Sequence, residues 1–468
     1  SDDARAEVRA LIGEPPTDGH RRDLLIEHLH VLNDHFHGLF ERQIVALAAE
    51  MRLPVVEVFE VASFYHHFDI LKDDEVAPSI TVRVCDSLSC TLAGSNALLR
   101  QLQNELLNVK VVPVPCLGRC EQAPAVQVGQ QAVAQATVAA VTQRVTAQQT
   151  APNPLPEAIR FDAYQRAGGY QLALQVAAGL KHHESVIQCL ESSGLRGLGG
   201  AGFPAGRKWR IVRSQPGPRL MAVNIDEGEP GTFKDRVLLT RHADLVFEGM
   251  TVAAFAIGAA QGFVYLRGEY RYMLDHLNAV LAHRRRENLL GKDILGIPGA
   301  DFDLEIHVGA GAYVCGEESA LIESLEGKRG TPRNRPPFPV TNGYLDQPTI
   351  VNNVETFAAA ALIALNGGGW YAGIGTRHSA GTKILSVSGD CERPGLYEYP
   401  FGVSIRQVLE DCGAKDTQAV QVSGPSGICV AEAEFDRIIG FDLGHRVLEA
   451  APLTRTDRQQ IALAIAAV

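Results

Sequence analysis

The sequence predicts a multidomain α/β protein, and three observations carry that expectation. The chain has 468 residues, enough for about three domains. Its hydrophobic spacing is helical near the N-terminus and then changes to strands alternating with helices. A stretch rich in Pro, Gln and Thr, Thr146 to Ala158, reads as a linker between two such α/β patterns. Hydrophobic residues make up 46% of the chain, ample for real cores, yet no run approaches the roughly 20 apolar residues of a membrane span. A net charge of −11 gives nucleic acid little electrostatic attraction. The opening SDDARAEVRAL lacks a signal-peptide apolar region, so the expected address is the cytoplasm.

Residues 1–76 read as a helical bundle. In DLLIEHLHVLNDHF, Leu25, Leu29 and Leu32 recur at helical spacing, and a second helix is expected around Ile44 to Met51. His28, His30, His35 and His37 read as a solvated helix face plus a loop, because no carboxylate or Cys completes a metal set. Residues 77–145 change period: ITVRVC alternates like a strand, ALLRQLQNEL reads as a helix, and VKVVPV and AVQV read as strands. After the linker at 146–158, residues 159–365 form a second α/β unit. There RLMAVN and FVYL are strands joined by the long apolar helix LVFEGMTVAAFAIGAA, as in a βαβ crossover. Residues 366–440 hold a compact β-rich unit with one helix: TKILSVSG, a turn at ERPG, LYEY, VSIRQVLEDCG and QAVQVSG.

Four of the nine cysteines have a spacing. Cys85 and Cys90 are separated by four residues, Cys116 and Cys120 by three, and each pair sits just past an expected strand. Two neighbouring loops would then aim four thiolates at one point, which suits a tetrahedral metal or an Fe–S cluster. The wide loops favour [2Fe-2S] over the tighter knuckle usual for zinc; zinc and simple burial remain the alternatives.

The glycine-rich stretch GLRGLGGAGFPAGRKW runs from Gly194 to Trp209. Gly197, Gly199 and Gly202 fit GxGxxG, but they follow a helical pattern rather than a strand, so the ordinary dinucleotide fingerprint fails its context. Downstream, AVNIDEGEPGTFKDR places Asn224, Asp226, Glu227 and Glu229 in a loop after a strand. A second glycine-rich loop, Gly309 to Pro339, leads into a helix whose free N–H groups suit a phosphate, and NNVET adds Asn352 and Asn353. These are features of a large polar ligand approached closely by backbone; one nucleotide or two would fit the composition.

Two resemblances follow from these motifs. ASFYHHF (Ala62 to Phe68), CDSLSC and CLGRC resemble the small [2Fe-2S] subunit of the NADH-dehydrogenase module of respiratory complex I, over roughly residues 1–145. That likeness implies a helical bundle joined to a thioredoxin-like ferredoxin domain, with Cys85, Cys90, Cys116 and Cys120 as the metal ligands. The glycine loops, DEGEPG and NNVET resemble the flavin subunit of the same module, over about 159–440. It implies a Rossmann-like flavin domain followed by a β-grasp-like domain. Carried over by position, FMN would be held by Gly197, Gly199, Gly200, Lys208, Asn224, Asp226, Glu227, Tyr313, Gly316, Glu317, Asn352, Asn353 and Thr356. NADH would meet Phe203, Glu229, Phe233, Glu318, Arg335 and Phe338; at Arg335 the family usually has lysine, so a planar fork replaces a point charge.

The fusion of both pieces is similar to the diaphorase large subunits of cytoplasmic NAD-reducing [NiFe]-hydrogenases, with the fused β subunits of NAD-dependent formate dehydrogenases as the near alternative. The first implies an iron–sulfur diaphorase small subunit and [NiFe]-hydrogenase subunits as partners, the second a molybdenum- or tungsten-containing formate dehydrogenase α subunit. A non-catalytic electron-relay or assembly scaffold is the alternative of another class. The family flavin subunit also carries a C-terminal helical domain with a CxxCxxC run binding [4Fe-4S]. Those ligands are absent from this sequence, which passes abruptly from DRIIGFD to LGHRVLEAA near Asp442. Residues 441–468 are therefore expected to be a C-terminal helical remnant beside an omitted segment, with a truly absent cluster as the other reading.

Overall fold

The computed structural model describes residues 2–424 and 427–441, and the backbone of 463–466. Helices at Asp2–Ile12, Leu25–Phe36, Glu41–Met51 and Val55–Phe64 open the chain, with a short parallel pair β1 (Leu39–Phe40) and β2 (Ile70–Leu71). The next sheet holds β3 (Thr81–Cys85), β4 (Lys110–Val114), β5 (Val126–Val128) and β6 (Gln131–Val133) in the order β4-β3-β5-β6. Its β3–β4 pair is parallel and the others antiparallel, flanked by helices Ser95–Glu105 and Val138–Thr146.

The central sheet is all parallel: β7 (Arg219–Ile225), β8 (Ala259–Leu266), β9 (Asp303–Val308) and β10 (Thr349–Asn353), in the order β10-β7-β8-β9. Parallel strands need covered faces. Met221, Val223, Ile225, Val264 and Leu266 pack on one side with the helices Ala243–Ile257 and Val354–Asn366. Ala222, Phe263, Tyr265 and Val351 point the other way, into a core built with Leu25, Leu29, Leu47, Val58 and Tyr65 of the N-terminal helices. The N-terminal bundle is therefore the second helical layer of the central sheet. This corrects the reading of its histidines as a solvated face. His28 and His30 are buried, and burial lowers their pKa values to about 4 and about 3, so they stay neutral. His30 Nε2 lies 3.0 Å from the Gly309 carbonyl. His35 and His37 are exposed as expected.

The last sheet holds β11 (Thr382–Gly389), β12 (Gly395–Pro400), β13 (Ala419–Val422), β14 (Ile428–Ala431) and β15 (Leu463–Ala466), ordered β12-β11-β15-β13-β14. One helix, Ile405–Cys412, packs on it. Two expectations change here. The boundary at 365/366 moves towards 381: the helix Gly368–Ala372 lies against the helix His183–Ser193, and Tyr371 is buried in the central core. The expected C-terminal helix over 441–468 falls mostly outside the described residues, and within it 463–466 is a strand. It pairs with both β11 and β13, and closing that gap in the sheet outweighs the helix propensity of its alanines. Among the described residues, no helix is long and apolar enough to cross a membrane.

Candidate functional site: a cleft walled by glycine loops beside four thiols

Cys85 ends β3, and Cys90 lies in the short helix Leu88–Leu92. Cys116 and Cys120 occupy the loop after β4. Because β3 and β4 are parallel neighbours, both loops leave the same sheet edge and their thiols meet. All four are buried, and Cys116 Sγ lies 3.4 Å from Cys120 Sγ. Backbone N–H groups of Gly118 and Ala125 point at Cys116 Sγ and Cys90 Sγ, at 3.4 and 3.3 Å. Hydrogen bonds from Cys120 and Cys85 hold the Cys116 thiol well below its usual range, as a ligand thiolate requires. Among the described residues no set of three or more His, Cys, Asp or Glu surrounds a single-ion position. Cys85 contacts both Cys90 and Cys116, and Cys116 contacts Cys120, so the four thiols form one continuous donor set that fits an iron–sulfur centre.

The second site is a cavity of about 360 Å³ at the C-terminal ends of β7 and β10. Of the residues expected at FMN, it is lined by Gly199, Asn224, Asp226, Glu227, Tyr313, Gly316, Glu317 and Asn353, and Glu229 lies at it too. Strand ends at a sheet edge are where α/β folds bind ligands. Asp226 Oδ2 is buried without a hydrogen-bond partner, and burial raises its pKa to about 8, opposed by Arg267. A protonated, unpartnered carboxyl and converging loop backbone fit a polar ring system such as a flavin. Lys234, buried, keeps its charge beside the cavity through Asp235 (2.6 Å), Asn353 (3.0 Å) and Glu355 (3.2 Å).

Other expected contacts are turned inward. The Glu227 carboxylate accepts from Asp235 N, Arg236 N and Tyr270 OH at 2.8, 3.2 and 2.8 Å, so it caps the helix Lys234–Arg241; burial raises its pKa to about 7. Glu317 accepts from Ser319 N (3.0 Å) and Ala320 N (3.3 Å), which corrects the phosphate reading of that helix: its first donors are already capped. Asn352 takes the Trp209 indole N–H at 3.0 Å, and Thr356 Oγ1 takes the Leu198 N–H at 2.9 Å. Lys208 donates to Glu318 (2.6 Å) and to the Val351 carbonyl (2.7 Å). Arg335 lies 3.1 Å from Glu317, and Phe203 and Phe338 are exposed and do not line the cavity. Gly197 closes the loop by donating to the Phe203 carbonyl, and Gly200 holds a φ of +119°.

Phe233 is the clearest correction. Expected at NADH, it is 1% exposed and packs on Cys116 and Cys120. Its neighbours Thr232 and Lys234 line the cavity. The segment 227–236 thus walls one site and covers the other. Arg267 ties the two together: it donates to the Glu227 carbonyl, to the Cys116 carbonyl (2.8 Å) and to Glu269 (3.0 Å). A cavity of about 240 Å³ lies between them, lined by Cys116, Arg267 and His66 on one side and Asp226 and Tyr313 on the other. Sequence reasoning misses Arg267 altogether, since a lone arginine after a strand carries no signal. Lys234 and Asp235 stand within TFKDR, where nothing in the pattern singles them out. A larger cavity, about 620 Å³, lies beyond Cys120, but Glu121, Asp390, Glu392 and Asp416 make it hostile to a phosphate-bearing ligand.

Comparison with known proteins agrees with this geometry. Residues 9–149 match the thioredoxin-like [2Fe-2S] ferredoxin family, and 190–362 match the Nuo51 FMN-binding domain. The NAD-reducing hydrogenase HoxS subunit alpha of Cupriavidus necator is 42% identical over 422 residues, spanning 83% of this chain and 69% of that one. An NADH-quinone oxidoreductase component of Rhizobium meliloti is 42% identical over 294 residues, 62% of this chain and 69% of that one. The crystal structure of an NAD+-reducing [NiFe]-hydrogenase in the H2-reduced state superposes with a TM-score of 0.78 at 35% identity, over 95% of this chain and 77% of that chain. With its thioredoxin-like [2Fe-2S] unit fused to an FMN-binding unit, the chain belongs to the family of diaphorase large subunits of NAD-reducing hydrogenases.

Proposed function

We infer that this chain is the NADH-reacting diaphorase subunit of an NAD-reducing hydrogenase, a flavin and iron–sulfur oxidoreductase. FMN is assigned to the 360 Å³ cavity and [2Fe-2S] to Cys85, Cys90, Cys116 and Cys120. The observation that carries the reading is the shared segment 227–236: a nucleotide-sized cleft and a four-thiol site have one wall in common. Held by the residues lining this cavity, FMN would supply hydride chemistry toward NADH and one-electron chemistry toward iron–sulfur carriers.

The chain's own residues supply the surroundings for that chemistry. Asp226 offers a proton-bearing oxygen into the cavity at neutral pH. The Lys234 ammonium is a fixed cation that favours negative charge developing there. Tyr313 donates to Glu229 at the cleft, and that carboxylate opposes the extra phosphate of NADPH. Phe233 covers Cys116 and Cys120 on the side of the segment that walls the cleft.

On this reading 77–145 is the thioredoxin-like unit and 159 to about 380 is Rossmann-like. The β-grasp-like unit follows, and 441–468 belongs to the region where relatives carry further ligands. The partners are an iron–sulfur diaphorase small subunit and [NiFe]-hydrogenase subunits, in the cytoplasm. The test is reconstitution of the purified chain, read by flavin absorbance, by electron paramagnetic resonance of the reduced cluster and by NADH-dependent dye reduction. Stoichiometric FMN, two irons per chain and NADH turnover are expected; a chain with zinc in place of iron, or without FMN, refutes the reading. Co-purification with subunits that reduce NAD+ from formate instead of hydrogen would refute the hydrogenase assignment.

A further inference from the structure

Among the described residues the last sheet contributes none to the lining of the flavin cavity, yet it reaches the glycine stretch. Lys383 on β11 is 5% exposed, and its Nζ donates to the Leu198 carbonyl at 2.8 Å and to Glu355 Oε2 at 2.6 Å. Glu355 Oε1 accepts from Ile384 N at 2.9 Å. Leu198 immediately precedes Gly199, which walls the cavity. Its own N–H is held by Thr356, so the peptide is gripped from the central unit on one side and from the last sheet on the other. The grip extends to the cavity wall, because Glu355 also pairs with Lys234, and Lys234 holds Asn353, against which Gly199 packs. The same strand continues to the second site: Ser386 Oγ accepts from Phe233 N at 3.1 Å, and Ser388 Oγ meets Ser89 Oγ at 2.9 Å, next to Cys90.

We propose that Lys383 is a positioning residue of the flavin site, through which the last sheet fixes the glycine stretch in its FMN-accepting conformation. The inference rests on the assignment of FMN to the cavity. A buried charge-assisted bond to a loop carbonyl is the strong kind; its removal orphans Leu198 O and leaves Glu355 Oε2 with Lys234 alone at 3.2 Å. Gly197 N–H to the Phe203 carbonyl (2.8 Å) and Arg196 Nε to the Gly202 carbonyl (2.6 Å) close the stretch on itself, and Lys383 ties it to the last sheet at a point where glycine leaves the backbone free to move. The charged groups around Lys383 are Glu355, Lys234 and Asp235, so losing it also leaves two carboxylates sharing one cation. Burial lowers the Lys383 pKa to about 8, with Glu355 opposing that shift.

The experiment is FMN titration of the deflavinated full chain, read by quenching of flavin fluorescence, with iron and sulfide content measured alongside. Lys383→Met is expected to raise the FMN dissociation constant at least tenfold while cluster content stays at the parent level. Lys383→Arg, which restores a cationic donor, is expected to recover most of the lost affinity. Should Lys383→Met yield too little folded chain, Lys383→Gln takes its place, with an intermediate loss expected. Parent-like affinity in the Met or Gln variant overturns the proposal, and so does an Arg variant as weak as Met. A parent chain that binds no FMN fails at an earlier step, and overturns the flavin assignment together with this inference.

Discussion

Gly316→Ala is the cleanest probe of the flavin cleft. A Cβ built at Gly316 would stand 3.4 Å from Asp226 O and 3.6 Å from Asp226 Oδ2, ordinary contacts at the cavity wall, and the residue is not among those with positive φ. The protein alone therefore tolerates alanine, and reduced freedom of the unfolded chain would stabilise it by about 0.4–1 kcal/mol. A ligand lying against that backbone is another matter. A methyl group forced into close contact costs roughly 1–3 kcal/mol, or roughly 5- to 150-fold in the FMN dissociation constant. Gly199 and Gly200 cannot make this distinction. At Gly199 the Cβ would fall 2.8 Å from Asn353 Cβ, and Gly200 has a φ of +119°, so substitution there damages the loop with or without a ligand. The assay pairs a urea unfolding curve with FMN titration of the deflavinated chain. An unchanged or raised unfolding midpoint with weakened FMN binding is expected. If Gly316→Ala binds FMN with parent affinity, the cavity is not where the flavin lies.

Four further outcomes are expected. Cys116→Ser should abolish the [2Fe-2S] signal while FMN content is kept, which iron analysis and absorbance will check. Glu229→Gln should raise activity with NADPH relative to NADH; unchanged discrimination in a flavinated chain would show that Glu229 does not face the ribose. Arg267→Met leaves Glu269 buried without its ion-pair partner, a loss of about 3–5 kcal/mol, and adding Glu269→Gln should restore part of it; a parent-like unfolding midpoint in the single variant would contradict this. His307 lies 3.2 Å from Glu27 and 3.6 Å from Glu305. Burial alone would lower its pKa, but those carboxylates raise it from 6.5 to about 9. Its contribution, about 3 kcal/mol at most, is then complete below pH 6.5 and lost as pH rises towards 9, so His307→Gln should flatten the stability profile over that interval.

Local pattern makes much of this molecule legible. The alternation in ITVRVC places β3, the apolar run in RLMAVN places β7, and the cysteine spacing places the ligands at one sheet edge. What stays hidden depends on distant pairing. The helical period of Leu25, Leu29 and Leu32 says that one face is buried, but not that the central sheet buries it. Strand β15 lies in an alanine-rich segment whose propensity is helical, and its two neighbouring strands decide otherwise. At the cleft, the acidic run DEGEPG marks the right loop, yet the Glu227 carboxylate is engaged in capping a helix that the same loop begins. Phe233 is assigned to NADH only by position in the resemblance; the meeting of the two units shows it facing sulfur.

The clamps between those units set how electrons can move. Arg236 donates to the Gly118 carbonyl at 3.1 Å and to Glu121 at 2.5 Å, Arg267 holds the Cys116 carbonyl, and Ser388 meets Ser89. With the ligand loops fastened at several points to the wall of the flavin cleft, the gap between the two redox sites is fixed when the chain folds. No tethered carrier has to search for its acceptor on the microsecond-to-millisecond scale of domain motion. The internal transfer step should therefore be indifferent to solvent viscosity, proceeding as fast in concentrated glycerol as in water, while exchange with a separate partner protein slows.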